Sequence, residues 1–227
     1  MAGDTDGLGL VQETIGYQFS DISLLVTALT HSSYASEHDV ESYERLEFLG
    51  DAVLELAITA EIYGALHGAS EGRMTRVRAA LVDEATLAGV ARSIGLPAAI
   101  KLGVGEDRSG GRDRSSIQSD VVESIFGAVY IDGGVDAAFD VVRRLLGDTV
   151  ADRMAASQVS DSRSSLQEHL ARTGRVVSFE YERSGPDHDT IYTATAYVDG
   201  KVIGTGSGGS KKTAALDAAR AALASDL

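Results

Sequence analysis

Acidic side chains at helical spacing are the residues of this sequence that could do chemistry. Glu44, Glu47 and Asp51 are three and four positions apart, so on a helix they share a face about 60° wide. Like charges at this spacing repel one another, and burial raises the cost unless a cation compensates it. An apolar stripe on the same segment predicts a packed helix; it consists of Leu46, Leu49, Val53, Leu56 and Ala57. The simplest compensating cation is a metal ion.

A second acidic pair follows later in the chain. Asp120 and Glu123 also share a helical face, and together the two segments could bring five carboxylates to one point. The chain contains no cysteine, so a metal would use oxygen or imidazole ligands. Carboxylate oxygens suit Mg²⁺ or Mn²⁺, and such an ion can activate water and stabilise the charge on a phosphodiester. The alternative is that each acidic pair is simply a solvated helix face, and the apolar surroundings weigh against it without removing it.

The elements that must position these acids are helical throughout the first two thirds of the chain. Apolar residues at helical spacing and capping residues predict helices over residues 8–15, 21–29, 42–67, 74–94, 115–132 and 135–154. Residues 30–34, 68–72 and the glycine-rich 103–114 are predicted to be breaks or loops. Residues 1–154 are therefore expected to form an all-α domain, with a linker over 155–160.

The pattern changes in the last 67 residues, 161–227. Helices are predicted over 162–173 and 214–223, with alternating strands over 176–183, 190–198 and 202–206 between them. Asp199-Gly200 is a two-residue hairpin signal. The order α-β-β-β-α predicts a small α+β domain with two helices on one face of an antiparallel sheet.

Two motifs in the helical part resemble a known family. Residues 44–54 (ERLEFLGDAVL) resemble the signature of the ribonuclease III family, and residues 120–123, followed by 127–132, resemble its second acidic motif. Companion segments match in the same order: residues 30–34 (THSSY), Glu71-Gly72 and residues 109–111. Ordered matches of this length are far more specific than one short motif. The resemblance implies an all-α endonuclease domain.

The resemblance also implies roles for individual residues. The metal ligands would be Glu47, Asp51, Asp120 and Glu123, with Asp51 and Glu123 also counted as catalytic. Glu44 and Glu71 would be catalytic from the edge of the site, where they position water or substrate. Gly50 would let two helices approach closely. The nuclease domain would form a homodimer with two active sites, each cutting one strand of duplex RNA to 5′-phosphate and 3′-hydroxyl ends with short 3′ overhangs.

Three positions depart from the family pattern. Tyr43 replaces the usual asparagine, Arg73 stands where another acid is common, and Gln118-Ser119 replace a small apolar pair. None of these removes an implied ligand. His31 is expected to be structural, because this chemistry needs no imidazole. The aromatic residues expected to be core or dimer contacts are Tyr34, Phe48, Phe126 and Tyr130.

Residues 161–227 resemble a double-stranded-RNA-binding domain, which reads an A-form helix by its shape. The resemblance implies two contacts with minor grooves and one with phosphates. The RNA-binding residues would be Ser164, Gln167 and Glu168 on the first helix, His188 in the turn that follows Gly185-Pro186, and Lys211 and Lys212 before the last helix. This part holds 8 basic and 9 acidic residues, so we expect weak binding with steep salt dependence.

The formal net charge of −14 argues against a polyanionic partner if it is averaged over the chain, but residues 1–159 carry nearly all of the excess acid. No secretory signal and no apolar run of membrane length is present, so we expect a cytoplasmic protein with no membrane contact. We predict a Mg²⁺-dependent, homodimeric endoribonuclease for double-stranded RNA, acting on ribosomal RNA precursors and structured mRNA. The alternatives are a non-cleaving dimeric RNA-binding protein with the nuclease fold, and a helical protein unrelated to RNA.

Overall fold

The computed structural model describes residues 3–160, 162–186 and 190–225. The chain divides into two compact units, one of residues 1–67 with 74–151 and the other of residues 68–73 with 152–227. The domain boundaries expected from sequence, 1–154 and 161–227 with a linker between them, remain a prediction.

The first unit is built from helices. They are α1 (Gly3–Ile15), α2 (Ile22–Ala28), α3 (Ser32–His38), α4 (Glu44–Ala65), α5 (Glu71–Ala79), α6 (Glu84–Ser93), α7 (Val104–Arg108) and α8 (Ser115–Ser160). The first residues of α5 and the last residues of α8 group with the second unit. Short 3-10 turns cover Leu96–Ala99 and Gly111–Asp113. The predicted all-helical class of this part is confirmed.

Several helix boundaries differ from the prediction. The helix expected over 74–94 is two helices, because Asp83 has an extended backbone and its side chain accepts a hydrogen bond from the Thr86 N–H at 2.7 Å, which starts α6. The expected break at 30–34 contains the start of α3, capped by His31. The loop expected over 103–114 contains α7.

Helix α8 joins two predicted helices and extends beyond them. Gly134 has φ 80° and ψ −173°, so the helical backbone is interrupted where sequence predicted the first helix to end. The second half continues to Ser160, and the expected linker over 155–160 is therefore helical. That segment contains neither glycine nor proline, the two residues that most strongly oppose a helix.

Helices α4 and α8 of the first unit approach each other closely. A Cβ on Gly50 would lie 1.7 Å from the carbonyl oxygen of Glu123, and one on Gly127 would lie 2.1 Å from the carbonyl oxygen of Leu46. Only glycine permits this approach, which confirms the close packing expected at Gly50. Leu56 was predicted to be buried but is 58% exposed, because it lies one residue before the buried Ala57 and points about 100° away from it.

The second unit is an α+β fold, as predicted. Strands β1 (Val177–Ser184), β2 (Ile191–Val198) and β3 (Lys201–Gly208) form an antiparallel sheet in the order β1-β2-β3. Helices α9 (Ser162–Ala171) and α10 (Lys211–Leu223) share one hydrophobic core with the sheet. Asp199 and Gly200 have positive φ angles of 51° and 78°, which confirms the predicted two-residue turn.

Within the described residues, no helix combines the length and the apolar character that a membrane span requires.

Candidate active site and RNA-binding surface

Four of the predicted acids face one another where α4 packs on α8. The Gly50 and Gly127 contacts join the two helix backbones, and the two acidic faces therefore lie side by side. Burial raises the pKa of Glu47, and the neighbouring charges of Asp120, Glu44 and Asp51 raise it further. The charge on one helix thus acts on a carboxyl of the other. The structure brings together Glu47, Asp51, Asp120 and Glu123.

Burial and the neighbouring acids have a large effect on the pKa of Glu123. Burial and then the charges of Asp51, Asp120 and Glu47 raise its pKa to about 8. Without a cation, the Glu123 carboxyl therefore holds a proton at neutral pH. A group of carboxylates that cannot all ionise together is a site that a metal ion would stabilise.

Asp120 has a hydrogen-bond donor that sequence reasoning missed. The Tyr43 hydroxyl donates to Asp120 Oδ2 at 3.2 Å, and Tyr43 is only 3% exposed. Burial raises the pKa of Asp120, while the hydrogen bond from Tyr43 opposes that rise. Burial, with the charge of Asp120 next, raises the pKa of Tyr43 as well. The only sequence signal was that a tyrosine precedes the acidic motif in place of an asparagine.

The other two predicted acids, Glu44 and Glu71, are both exposed. Glu44 is exposed at the first turn of α4, where it accepts a hydrogen bond from Ser42 Oγ at 2.8 Å. It contributes to the raised pKa of Glu47, which places it at the rim of the group. Glu71 is the exposed first residue of α5 and groups with the second unit. The catalytic roles of both residues stay predictions.

The departure at Gln118 has a structural explanation. Gln118 is buried, accepts a hydrogen bond from Arg92 at 2.7 Å and donates one to the carbonyl oxygen of Arg112 at 2.9 Å. These bonds tie the start of α8 to α6, so the buried polar side chain is satisfied. An apolar residue is therefore not required at this position.

The donor set fits a hard divalent cation. All four side chains offer carboxylate oxygens, which suit Mg²⁺. Among the residues that the structure describes, no group of three or more Asp, Glu or His side chains is arranged so that it could hold a metal ion by itself. Mg²⁺ does not need one, because it is usually held by one or two carboxylates together with water and substrate oxygens.

The second unit presents some of the predicted RNA-binding residues at its surface. Ser164 and Gln167 are exposed on α9, and Lys211 and Lys212 are exposed at the start of α10. That helix begins with a capping box formed by Ser210 and Thr213. His188 and the side chain of Glu168 lie outside the described residues.

Aromatic rings hold two cations in this unit, and sequence reasoning missed both contacts. Lys211 Nζ lies 5.6 Å from the ring centre of Tyr181, and the Arg163 guanidinium lies 5.2 Å from that of Phe179. Both distances are in the range of cation–π attraction. Lys211 is therefore held in place as well as exposed.

A helical unit that gathers four carboxylates, joined to an α-β-β-β-α unit with lysines at a helix N-terminus, is the architecture of a nuclease that acts on double-stranded RNA. Residues 21–149 match the Ribonuclease-III-like family, and residues 162–225 match the double-stranded RNA binding motif. This chain belongs to the ribonuclease III family, the endoribonucleases specific for double-stranded RNA. Members of the family generally depend on a divalent metal ion.

Relatives match over nearly the whole chain. Ribonuclease 3 of Listeria monocytogenes serotype 4a is 40% identical, over 94% of this chain and 95% of the relative. Ribonuclease 3 of Thermobifida fusca is 43% identical, over 93% of this chain and 88% of the relative. A solved nuclease domain of ribonuclease III from Campylobacter jejuni superimposes with a TM-score of 0.59 at 37% identity, covering 61% of this chain and 95% of that domain. That study concerns flexibility in a region involved in dimer formation of the Campylobacter domain.

Proposed function

We propose that this chain is a Mg²⁺-dependent, homodimeric endoribonuclease that hydrolyses both strands of duplex RNA to 5′-phosphate and 3′-hydroxyl ends with short 3′ overhangs. Mn²⁺ can substitute for Mg²⁺ in this proposal, because it accepts the same oxygen ligands. The observation that carries the proposal is the group of four carboxylates across α4 and α8, where burial and the neighbouring acidic charges raise the pKa of Glu47 and of Glu123.

In this proposal Glu47, Asp51, Asp120 and Glu123 hold the ion. When bound, Mg²⁺ supplies Lewis acidity that activates water and stabilises negative charge on the phosphodiester. Glu123 must lose its proton to become a ligand, and its raised pKa makes ion binding compete with protonation. Glu44 and Glu71 position water or substrate at the margin.

The homodimer is supported by an exposed aromatic residue beside a groove that is partly apolar. Phe48 is 85% exposed on α4, although sequence left open whether it belonged to the core. The groove beside it has an apolar part that includes Leu24, Leu49 and Ile131, and its lining also includes Glu41, Glu44 and Arg45. Phe48 also borders this groove. In a two-fold symmetric dimer, Phe48 of each copy can therefore pack into the groove of the other copy.

RNA binding is assigned to the second unit. Ser164, Gln167 and Glu168 would contact one minor groove and His188 the next, while Lys211 and Lys212 would contact the phosphates between them. Ribosomal RNA precursors and structured mRNA in the cytoplasm are the substrates we propose.

Cleavage of a long RNA duplex with and without Mg²⁺ tests the site. We expect Glu123→Ala to lower the rate at least about 100-fold, since even the loss of an outer partner of a metal ligand costs about 10- to 100-fold. Asp140→Ala is the control, because Asp140 is an exposed acid of the same helix that pairs with Arg143 at 2.7 Å. Equal cutting by the wild type and Glu123→Ala would overturn the site. Binding of duplex RNA without Mg²⁺-dependent cutting would favour the non-cleaving alternative.

The dimer is tested by analytical ultracentrifugation of Phe48→Asp. We expect this variant to sediment as a monomer, since a charge would be buried against the apolar part of the groove. Val176→Asp is the matched control, because Val176 is 81% exposed and lies in the second unit. A Phe48→Asp protein that remains dimeric would refute this interface.

The lysine surface is tested by titrating duplex RNA at several salt concentrations. Lys211→Ala with Lys212→Ala should weaken binding and flatten its salt dependence, because fewer phosphates are neutralised. Lys201→Ala removes an exposed lysine from β3 of the same unit and is the control. Unchanged affinity in the double variant would count against this surface.

A further inference from the structure

Tyr43 lies between the Thr-His-Ser-Ser-Tyr segment (residues 30–34) and the acidic group. Its hydroxyl donates to Asp120 Oδ2 at 3.2 Å, and its backbone N–H donates to the carbonyl oxygen of Thr30 at 2.8 Å. The Tyr43 ring packs against the ring of His31 with centres 5.6 Å apart and planes at 62°. Tyr43 is therefore buried, and both its hydroxyl and its backbone N–H are hydrogen-bonded.

His31 is itself held firmly. Its Nδ1 accepts a hydrogen bond from the Ser33 N–H at 3.1 Å and lies 2.7 Å from Ser33 Oγ. Ser33 Oγ in turn accepts one from the Gly103 N–H at 2.9 Å. The backbone of residue 31 donates to the carbonyl oxygen of Lys101 at 3.0 Å. The ring against which Tyr43 packs is therefore fixed by contacts on two sides.

This arrangement accounts for a motif that the proposed function does not use. Residues 30–34 supply no carboxylate, and within the part of the chain that the structure describes none of them is hydrogen-bonded to an implied ligand. They anchor Tyr43, which is bonded to one. A carboxylate crowded by other acids needs a donor to set its orientation, because repulsion otherwise favours turning it away. A phenol at Oδ2 leaves Oδ1 free of that bond.

We propose that Tyr43 is a positioning residue whose hydroxyl holds the Asp120 carboxylate beside Glu47 and Glu123, and that His31 and Ser33 hold Tyr43. The inference rests on the proposed function, in which Asp120 is a metal ligand. Outer partners of this kind orient ligands in metal sites generally. Tyr43 itself does not touch substrate.

The test is Tyr43→Phe in the full chain, which removes the hydroxyl and keeps the ring against His31. Mg²⁺ binding is measured by calorimetry without RNA, and the Mg²⁺ dependence of cleavage is measured in parallel at the same pH. We expect the half-saturating Mg²⁺ concentration to rise about 10-fold in both measurements. The rate at saturating Mg²⁺ should stay within about twofold of wild type, because no reacting group is lost.

Tyr17→Phe is a matched control. Tyr17 also donates its hydroxyl to a carboxylate, Asp132 Oδ2, at 2.8 Å. Asp132 lies nine residues beyond Glu123 on α8, which is about 13 Å along a helix. Tyr17→Phe should therefore leave the Mg²⁺ dependence unchanged.

Three outcomes would overturn the proposal or its basis. Unchanged Mg²⁺ affinity in Tyr43→Phe refutes the positioning role. A lower saturated rate with unchanged Mg²⁺ affinity also refutes it, because the hydroxyl would then act in the reaction itself. Wild-type Mg²⁺ affinity in Asp120→Asn would refute the proposed metal site, which separates that failure from a failure of the role of Tyr43.

Discussion

Replacing Gly50 by alanine should have two opposing effects: alanine has the higher helix propensity, but its Cβ would clash with the backbone of α8. Alanine favours a helix over glycine by about 1 kcal/mol, and Gly50 lies within α4. On its own this term would stabilise the protein. The added Cβ, however, would lie 1.7 Å from the carbonyl oxygen of Glu123 and 2.9 Å from the backbone nitrogen of Gly127.

Both of those clashing atoms belong to the backbone, so no side-chain rotation relieves them. The contact must open from 1.7 Å to at least 3.0 Å, which forces α4 and α8 apart by about 1 Å. Overpacking of this kind costs about 1–3 kcal/mol. After the helix preference is subtracted, the free energy of unfolding should fall by about 0–2 kcal/mol, and Tm by up to about 8 °C.

Activity should fall much further than stability. The same displacement moves Glu47 and Asp51 away from Asp120 and Glu123, and a misplacement of about 1 Å can cost about 100-fold in rate. Thermal melting and duplex RNA cleavage at saturating Mg²⁺ measure the two effects, with cleavage assayed well below both melting points.

Gly147→Ala is the matched control for Gly50→Ala. Gly147 also lies within a helix, but a Cβ there would meet nothing within 4 Å. It should raise the free energy of unfolding by up to about 1 kcal/mol and leave cleavage unchanged. A Gly50→Ala protein with wild-type activity and a raised Tm would refute the claim that close helix approach positions the acids.

Three further predictions concern charge, RNA affinity and the hairpin turn. The pKa of Glu123 is raised from 4.5 to about 8. Between these pH values the folded metal-free protein binds a proton that the unfolded chain has lost, so the wild type loses stability as pH rises. The Tm of Glu123→Gln minus that of the wild type should therefore increase from about pH 5 to about pH 9. At limiting Mg²⁺, wild-type cleavage should rise with pH through about 8. Tyr181→Ala should weaken duplex RNA binding about 2- to 5-fold by removing the cation–π contact with Lys211, while Tyr181→Phe should not. Gly200→Ala should destabilise the second unit by about 1–2 kcal/mol, because the φ of +78° is unfavourable for a residue with a Cβ. The backbone alone accounts for this cost, since a Cβ there would meet nothing within 4 Å.

Each of these has a result that would contradict it. A Tm difference between Glu123→Gln and wild type that does not change with pH would show that Glu123 is not perturbed. Equal losses of RNA affinity in Tyr181→Ala and Tyr181→Phe would mean that the ring does not hold Lys211. An unchanged melting transition in Gly200→Ala would contradict the positive φ at the turn.

The local order of elements could be predicted from sequence because it depends on neighbours in the chain. Helical spacing located α4, and the Asp199-Gly200 signal located the β2–β3 turn. The boundary predicted between residues 132 and 135 coincides with the interruption of α8 at Gly134. One wrong prediction overlooked a local signal, because the Asp83 cap divides the helix expected over 74–94.

The candidate site depends both on residue spacing in the sequence and on tertiary packing. The acidic faces on α4 and α8 follow from spacing alone, but their juxtaposition rests on a backbone contact at Gly50 that only packing creates. The Tyr43 hydrogen bond joins residues 77 positions apart, and no periodicity encodes such a pair. Phe48 looked equally suited to a core or to an interface until its 85% exposure decided against the core.

The sequence by itself therefore determined the residue types, the faces they share and the family to which the chain belongs. Only the tertiary structure decided which acids lose their charge most easily, which tyrosine holds Asp120 and which aromatic ring is left for a partner. The physical reason is that spacing along a helix fixes directions within one element. Burial, pKa and hydrogen bonding across elements depend on how closely two backbones can approach.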